Sequence, residues 1–170
     1  MKNSFFSKFA KLSLALLFVS CIAFVACKQP ETINNYNVSI VGTWISSFGE
    51  NYVITSNSID SSGAGYTSYA GDNLVVVMDS ETSGRLFIKY TRAFCTEHSD
   101  FANGIYTYDS DAPDVGKWYA MSYKNLKDNS VSLSGAAGAK TSTDTLEEAI
   151  AEFTIEKGYF GNYSECQRKN

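Results

Sequence analysis

Two short stretches hold most of the side chains able to do chemistry. Cys95-Thr96-Glu97-His98 sets a thiol and an imidazole three residues apart, with Asp100 close behind. A thiol beside an imidazole is the pattern of a nucleophile and its base, or, with Glu97 and Asp100, of part of a metal site. The second stretch, YDSDAPDVG at 108–116, brings Asp109, Asp111 and Asp114 into one turn-rich segment. Hard cations such as calcium take several oxygens of this kind. The spacing departs from the helix–loop–helix calcium pattern, because Pro113 stands where the third ligand belongs and Ala120 where the final glutamate belongs. His98 is the sole histidine, which excludes any site needing two imidazoles. There is no Gly-x-Ser-x-Gly, His-Glu-x-x-His or Cys-x-x-Cys, and no phosphate-binding glycine loop. Nor does any pair of carboxylates stand out as the two acids of a glycoside hydrolase. The first stretch therefore reads as a disulfide cysteine beside a surface histidine, and the second as a solvated acidic loop. The expectation is a non-catalytic chain with no metal ligands and no cofactor.

Two of the remaining cysteines, Cys21 and Cys27, belong to the N-terminus. Residues 1–11, MKNSFFSKFAK, are basic, and residues 12–26, LSLALLFVSCIAFVA, form an uncharged apolar run. Polarity returns at Lys28. That is the layout of a secretory signal, and the run is shorter than the roughly 20 residues a spanning helix needs. Cys27 follows Phe24-Val25-Ala26, and Cys21 follows Phe18-Val19-Ser20. Both resemble the lipobox of bacterial lipoproteins, with Phe in place of the usual Leu, as in looser spirochaete-type lipoboxes. Cys27 fits better, because it leads into the polar KQPETINNYN, whereas Cys21 would leave Ile22 to Val25 at the mature start. The resemblance implies that the Cys27 thiol accepts a diacylglycerol and that the exported chain is anchored in a bilayer, in the outer membrane, on its periplasmic face or at the cell surface. Two or more acyl chains, at about 0.8 kcal/mol per buried CH₂, make such an anchor stable. The expected organisation is a signal peptide at 1–26, a polar tether at 27–38 and one domain at 39–170.

Export would place Cys95 and Cys166 where disulfides persist. A bond between them would close a loop of about 70 residues, worth about 4–5 kcal/mol in the chain-entropy model. Two free thiols are the alternative.

The chain has 170 residues, room for one domain. Its net charge is -4, and Lys2, Lys8 and Lys11 are the only charges before Cys27, so the rest carries 11 bases against 18 acids. Such a chain lacks the clustered cations that nucleic acid demands. A 44% hydrophobic content with two prolines excludes disorder.

The elements that must position these residues read as mostly β. Apolar and aromatic residues recur at intervals of two, as at Tyr52/Ile54, Leu86/Ile88 and Tyr119/Met121/Tyr123. Turn clusters separate them, among them FGEN at 48–51 and AGDN at 70–73. The expected strands lie near 41–47, 51–56, 58–62, 65–70, 74–79, 85–91, 104–108, 117–124 and 130–135. Short connections make an antiparallel up-and-down meander, which closes into a barrel of about 8 strands to remove its edges. An amphipathic helix near 145–156 carries Leu146, Ala149, Ile150 and Phe153 on one face, with Asp144 as the expected cap and Gly158 as the stop. It packs outside the sheet.

Gly42-Thr43-Trp44 before the first strand is similar to the Gly-x-Trp start of lipocalin and calycin barrels, and Gly116-Lys117-Trp118 repeats it. The resemblance covers roughly 40–165. It implies a cup whose tryptophan plugs the closed end and which binds a small apolar ligand. The alternative is a barrel filled by its own side chains, serving as scaffold for an adhesin or an enzyme inhibitor. Tyr66, Tyr69, Tyr106 and Tyr108 border loops and are candidates for a binding rim.

Overall fold

Alternation of side chains decides which face of each strand is buried, and the register then fixes the closure. The computed structural model describes residues 39–63 and 66–169. Nine strands are described: β1 (Gly42–Ser46), β2 (Asn51–Ile54), β3 (Ile59–Gly63), β4 (Tyr66–Ser80), β5 (Ser83–Phe94), β6 (Tyr108–Asp109), β7 (Trp118–Lys124), β8 (Ser130–Gly135) and β9 (Ser164–Arg168). Each of β1 to β5 pairs antiparallel with the next; β5 continues to β7, β8 and β9, and β9 returns to β1. Eight strands thus close a barrel, and β6 lies outside it on the end of β5. Trp44 and Ser46, Tyr52 and Ile54, and Ile59 and Ser61 point inward and are buried, while Ile45, Val53 and Asp60 between them are exposed. This is the period of two expected for a half-buried strand.

The structure redraws several expected boundaries. The segments at 65–70 and 74–79 belong to one strand, because Asn73, with φ of 56°, accommodates the irregular register inside β4 instead of ending it. The expected strand at 104–108 shrinks to β6. β9 was absent from the expected strands, yet it closes the barrel.

The helix α1 (Leu146–Glu152) lies between β8 and β9 and packs against β5 and β7. Its cap is Thr145, not Asp144, with the hydroxyl accepting from the Glu148 N–H. It stops at Phe153, before Gly158. The apolar stripe is as expected: Ala149 and Phe153 are fully buried, and Leu146 and Ile150 pack against the core. Arg85, from β5, donates to the carbonyls of Ile150 and Phe153 at 3.1 and 3.2 Å. A cation there satisfies orphan carbonyls and the negative end of the helix dipole.

Strand direction gives the barrel two distinct ends. The start of β1, the 55–58 turn, the 125–129 turn and the end of β9 share one end. There Trp44 is wholly buried, and its indole N–H donates to the Ile40 carbonyl at 2.8 Å. Arg168 lies over its ring at 4.1 Å and donates to the carbonyls of Ser39, Val41 and Asp128. A Cβ on Gly42 would fall onto that guanidinium, which is why the residue two before the tryptophan has no side chain.

Candidate functional site

The opposite end, where the resemblance implies a mouth, is corked. Tyr69, Tyr90 and Tyr119 meet there with ring centroids 4.9 to 6.3 Å apart, Tyr90 and Tyr119 stacked and Tyr69 edge-on to both. Such geometry suits the ring quadrupoles. The Tyr69 hydroxyl donates to Met121 Sδ at 3.0 Å. Burial raises the phenol pKa of all three, and of Tyr52, well above the ordinary value. A Cβ on Gly135 would strike the Tyr119 hydroxyl, so β8 has a glycine where this ring lies. Further down the interior, Leu86, Ile88, Met121, Val131, Leu133 and Cys166 are each at most 1% exposed. A ligand cavity of 300 Å³ or more would leave its lining accessible. On the side enclosed by β5, β7, β8 and β9 the barrel interior is instead filled by its own side chains.

What this end presents to solvent is a flap running from Phe94 to Asp109. β6 forms its returning edge, with Phe94 opposite Tyr108 and Ala93 opposite Asp109. The base is tied down by hydrogen bonds. Cys95 N–H donates to the Thr107 carbonyl at 2.9 Å, Ser99 Oγ to the Cys95 carbonyl at 2.7 Å, and Thr107 Oγ1 to the His98 carbonyl at 2.8 Å. Within the flap, Asp100 caps the short 3-10 helix at 101–103 by accepting from the backbone and side-chain amides of Asn103, which lowers its pKa.

The flap carries an aromatic ladder on its surface. Phe94 contacts Tyr108 and Phe101 at 5.6 and 6.0 Å, and Phe101 contacts Tyr106 at 5.8 Å. Phe101, Ile105 and Tyr106 are each more than half exposed. Single exposed apolar residues are ordinary, but a contiguous aromatic patch is a mark of recognition. Glu97 and Asp100 on the flap and Asp111 just past it are exposed, so acidic side chains neighbour the patch along the chain.

The two chemistry-bearing stretches converge at the flap's base. His98 Nδ1 and Asp109 Oδ2 are 2.5 Å apart, and this hydrogen bond, against a smaller desolvation penalty, raises the imidazole pKa. The ligand atoms of Cys95, His98 and Asp109 all lie within 4.8 Å of one another. The Asp triad does not converge: Asp109 turns to His98, Asp114 to Lys117 Nζ and Thr141, and Asp111 to solvent. Burial alone would raise the Asp114 pKa, but its hydrogen bonds from Lys117, Ser142 and Thr141 outweigh burial and lower it.

The expected bond between Cys95 and Cys166 is not formed; both are buried free thiols. Cys166 sits on β9, opposite Ser46 and Val131, whereas Cys95 lies past the end of β5, with β8 and β7 between those strands. Burial, with Glu50 and Glu165 nearby, pushes the Cys166 thiol up to about 12. Of the rim tyrosines, Tyr106 and Tyr108 lie on the flap and Tyr69 in the cork, while the side chain of Tyr66 lies outside the described set, as do Cys21 and Cys27. Sequence reasoning missed Arg168, Asp109 as a partner of His98, and the Phe94–Phe101–Tyr106 cluster.

The fold and site define an eight-stranded antiparallel barrel that displays an aromatic flap at one end. Comparison with protein-family models, curated proteins and solved structures finds no match.

Proposed function

We propose that this chain is a lipid-anchored, non-catalytic interaction module, a lipocalin-like barrel serving as scaffold for the 94–109 flap. The flap engages a protein partner whose contact surface is apolar and bordered by basic side chains. The carrying observation is the exposed aromatic cluster with its acidic neighbours along the chain, held at the end of a barrel whose interior is filled on the side of β5, β7, β8 and β9. Aromatic anchors ringed by polar groups are the usual centre of a protein interface. The filled side of the interior favours this scaffold reading over the cup, since no specific observation points to a small ligand inside. Acylation of Cys27 in the outer membrane supplies the anchor. The N-terminal segment enters at the Trp44 end, so the flap faces away from the tethered end.

Native mass spectrometry of the anchored protein, extracted in detergent, tests the reading against the cup. The acylated chain alone is expected; a small molecule that leaves on denaturation would overturn the scaffold reading. A photo-crosslinking residue at Phe101 is expected to capture one protein, and the same group at Val53 on the outer face of β2 is not. Replacing Tyr106 with Ser should abolish that capture while leaving thermal stability within about 0.5 kcal/mol, as for other surface changes. Cys27→Ser should release the protein from the detergent phase; persistence of acyl labelling in that variant would refute the choice of Cys27.

A further inference from the structure

We propose that Cys95, His98 and Asp109 form a binding site for a borderline divalent cation of the zinc class, with three protein ligands and a fourth position open to solvent. The site is independent of the partner reading: a cation binds there whether or not the aromatic patch has a protein to meet.

Geometry supports it first. Zinc bonds of about 2.0–2.3 Å in a tetrahedron put ligand atoms roughly 3.3–3.8 Å apart. The three ligand atoms here lie within 4.8 Å, and the closest described contact, His98 Nδ1 to Asp109 Oδ2, is 2.5 Å. Widening the one and narrowing the other takes about 1 Å each, within reach of side-chain rotation at His98, which is half exposed, and Asp109, which is about one-third exposed. The backbone stays in place, because the hydrogen bonds of Cys95, Ser99 and Thr107 fix the flap's base.

Chemistry narrows the cation. One sulfur, one nitrogen and one oxygen donor suit zinc, cobalt or similar borderline ions, whereas magnesium and calcium want oxygen throughout. Glu97 and Asp111 lie close enough to act on His98 electrostatically and add negative potential at the entrance. Binding exchanges protons for the metal: the Cys95 S–H proton passes to solvent as the sulfur–metal bond forms, and the proton that His98 Nδ1 donates to Asp109 leaves that nitrogen, to Nε2 of a neutral ring or to solvent, as the nitrogen–metal bond forms.

Burial argues against the other use of the same three groups, a nucleophile with its base. The Cys95 residue is 3% exposed. A residue this buried gives an incoming substrate carbonyl little access. A cation needs only a sulfur lone pair, and the Cys95 sulfur lies within 4.8 Å of the His98 and Asp109 ligand atoms. Bound there, it would link the end of β5, the loop and β6, and so hold the flap to the barrel.

The test uses the full chain with Cys21→Ser and Cys27→Ser, so that Cys95 and Cys166 are the only thiols. The reduced protein is titrated with Co²⁺ and watched for the thiolate-to-cobalt charge-transfer band. The band should saturate at one equivalent, disappear on adding Zn²⁺, and persist with excess Mg²⁺ or Ca²⁺. It should survive Cys166→Ser and be lost in Cys95→Ser. His98→Ala and Asp109→Asn should each weaken Co²⁺ at least about tenfold. Those two surface variants carry the test if Cys95→Ser fails to fold by circular dichroism. The absence of the band in the folded parent, its survival in Cys95→Ser, or unchanged affinity in both His98→Ala and Asp109→Asn would overturn the proposal.

Discussion

Removing the Arg168 side chain should unseat the plug at the Trp44 end, and the cost can be worked from its contacts. The guanidinium stands 4.1 Å from the Trp44 ring and donates to three carbonyls, those of Ser39 and Val41 at 2.8 Å and of Asp128 at 2.6 Å. A cation–π contact is worth about 0.5–2 kcal/mol. Each hydrogen bond from a charged donor is worth about 1.5–3 kcal/mol, less where solvent competes, as it does here. Shared strain makes these contributions less than additive. Arg168→Ala is therefore expected to cost about 3 kcal/mol, a large part of the roughly 5–15 kcal/mol that holds a domain together. With an m-value of about 1.5 kcal/mol/M, the urea midpoint should fall by about 2 M. Arg168→Lys keeps a charge over the ring but loses the planar fork, and should cost about half as much. Gly42→Ala should approach the cost of Arg168→Ala, since its methyl group occupies the guanidinium's place. The assay is urea unfolding followed in parallel by tryptophan fluorescence and circular dichroism. A midpoint shift under about 0.3 M for Arg168→Ala, or a lysine variant equal to the parent, would refute the reasoning.

Three further outcomes are expected. Gly135→Ala should destabilise by about 1–3 kcal/mol through overpacking against the Tyr119 hydroxyl; in a Tyr119→Phe background most of that cost should vanish, because the nearest ring atom is then 3.5 Å away, and a double-mutant cycle in urea measures it. Cys166 should resist alkylation by iodoacetamide at pH 8 while the chain is folded, and react once urea unfolds it; native labelling there would contradict a buried thiol held near 12. Alkaline unfolding should be cooperative. Tyr52, Tyr69, Tyr90, Tyr119 and Cys166 all hold their protons more tightly folded than unfolded. Their contribution is complete below the unfolded values of about 8.5 for the thiol and 10 for the phenols, and is lost as pH rises above them. Each group then removes up to about 1.4 kcal/mol per pH unit, so tyrosinate absorbance and loss of circular dichroism should rise together between roughly pH 11 and 12. Gradual tyrosine ionisation from pH 10 in a folded chain would contradict the cork.

Much of the barrel is legible in the chain because its strands alternate cleanly. Tyr52/Ile54 and Tyr119/Met121/Tyr123 declare an inward face without help from neighbours. β9 does not. Its SECQR turns Ser164, Cys166 and Arg168 inward and Glu165 and Gln167 outward, so no branched or aromatic residue marks it, and pairing with β1 and β8 makes it a strand. In β4, AGDN has turn chemistry, but the sheet absorbs it as an irregularity at Asn73. The site was half visible. Both stretches, CTEH and YDSD, stand out as chemistry; their meeting does not, because it depends on the register of β6 against β5, which local pattern does not specify. The helix cap shows the same limit on a smaller scale: Asp144 and Thr145 are both good caps, and one residue of phasing decides between them.

The pairing of β1 with β9 also governs when the protein can fold. About 120 residues separate Trp44 from its partner Arg168, a contact order that places closure among the slower, millisecond-to-second folders. At synthesis rates of about 5–20 residues per second, β1 waits roughly 6–25 s for β9 to be made. Until then β1 and β8 have open edges, and the Trp44 plug lacks its arginine. No partly made chain holds the complete barrel, so folding belongs to the finished polypeptide. If the chain crosses a membrane behind its first 26 residues, as the anchored reading proposed above requires, a barrel that cannot close before β9 is made leaves it threadable throughout synthesis.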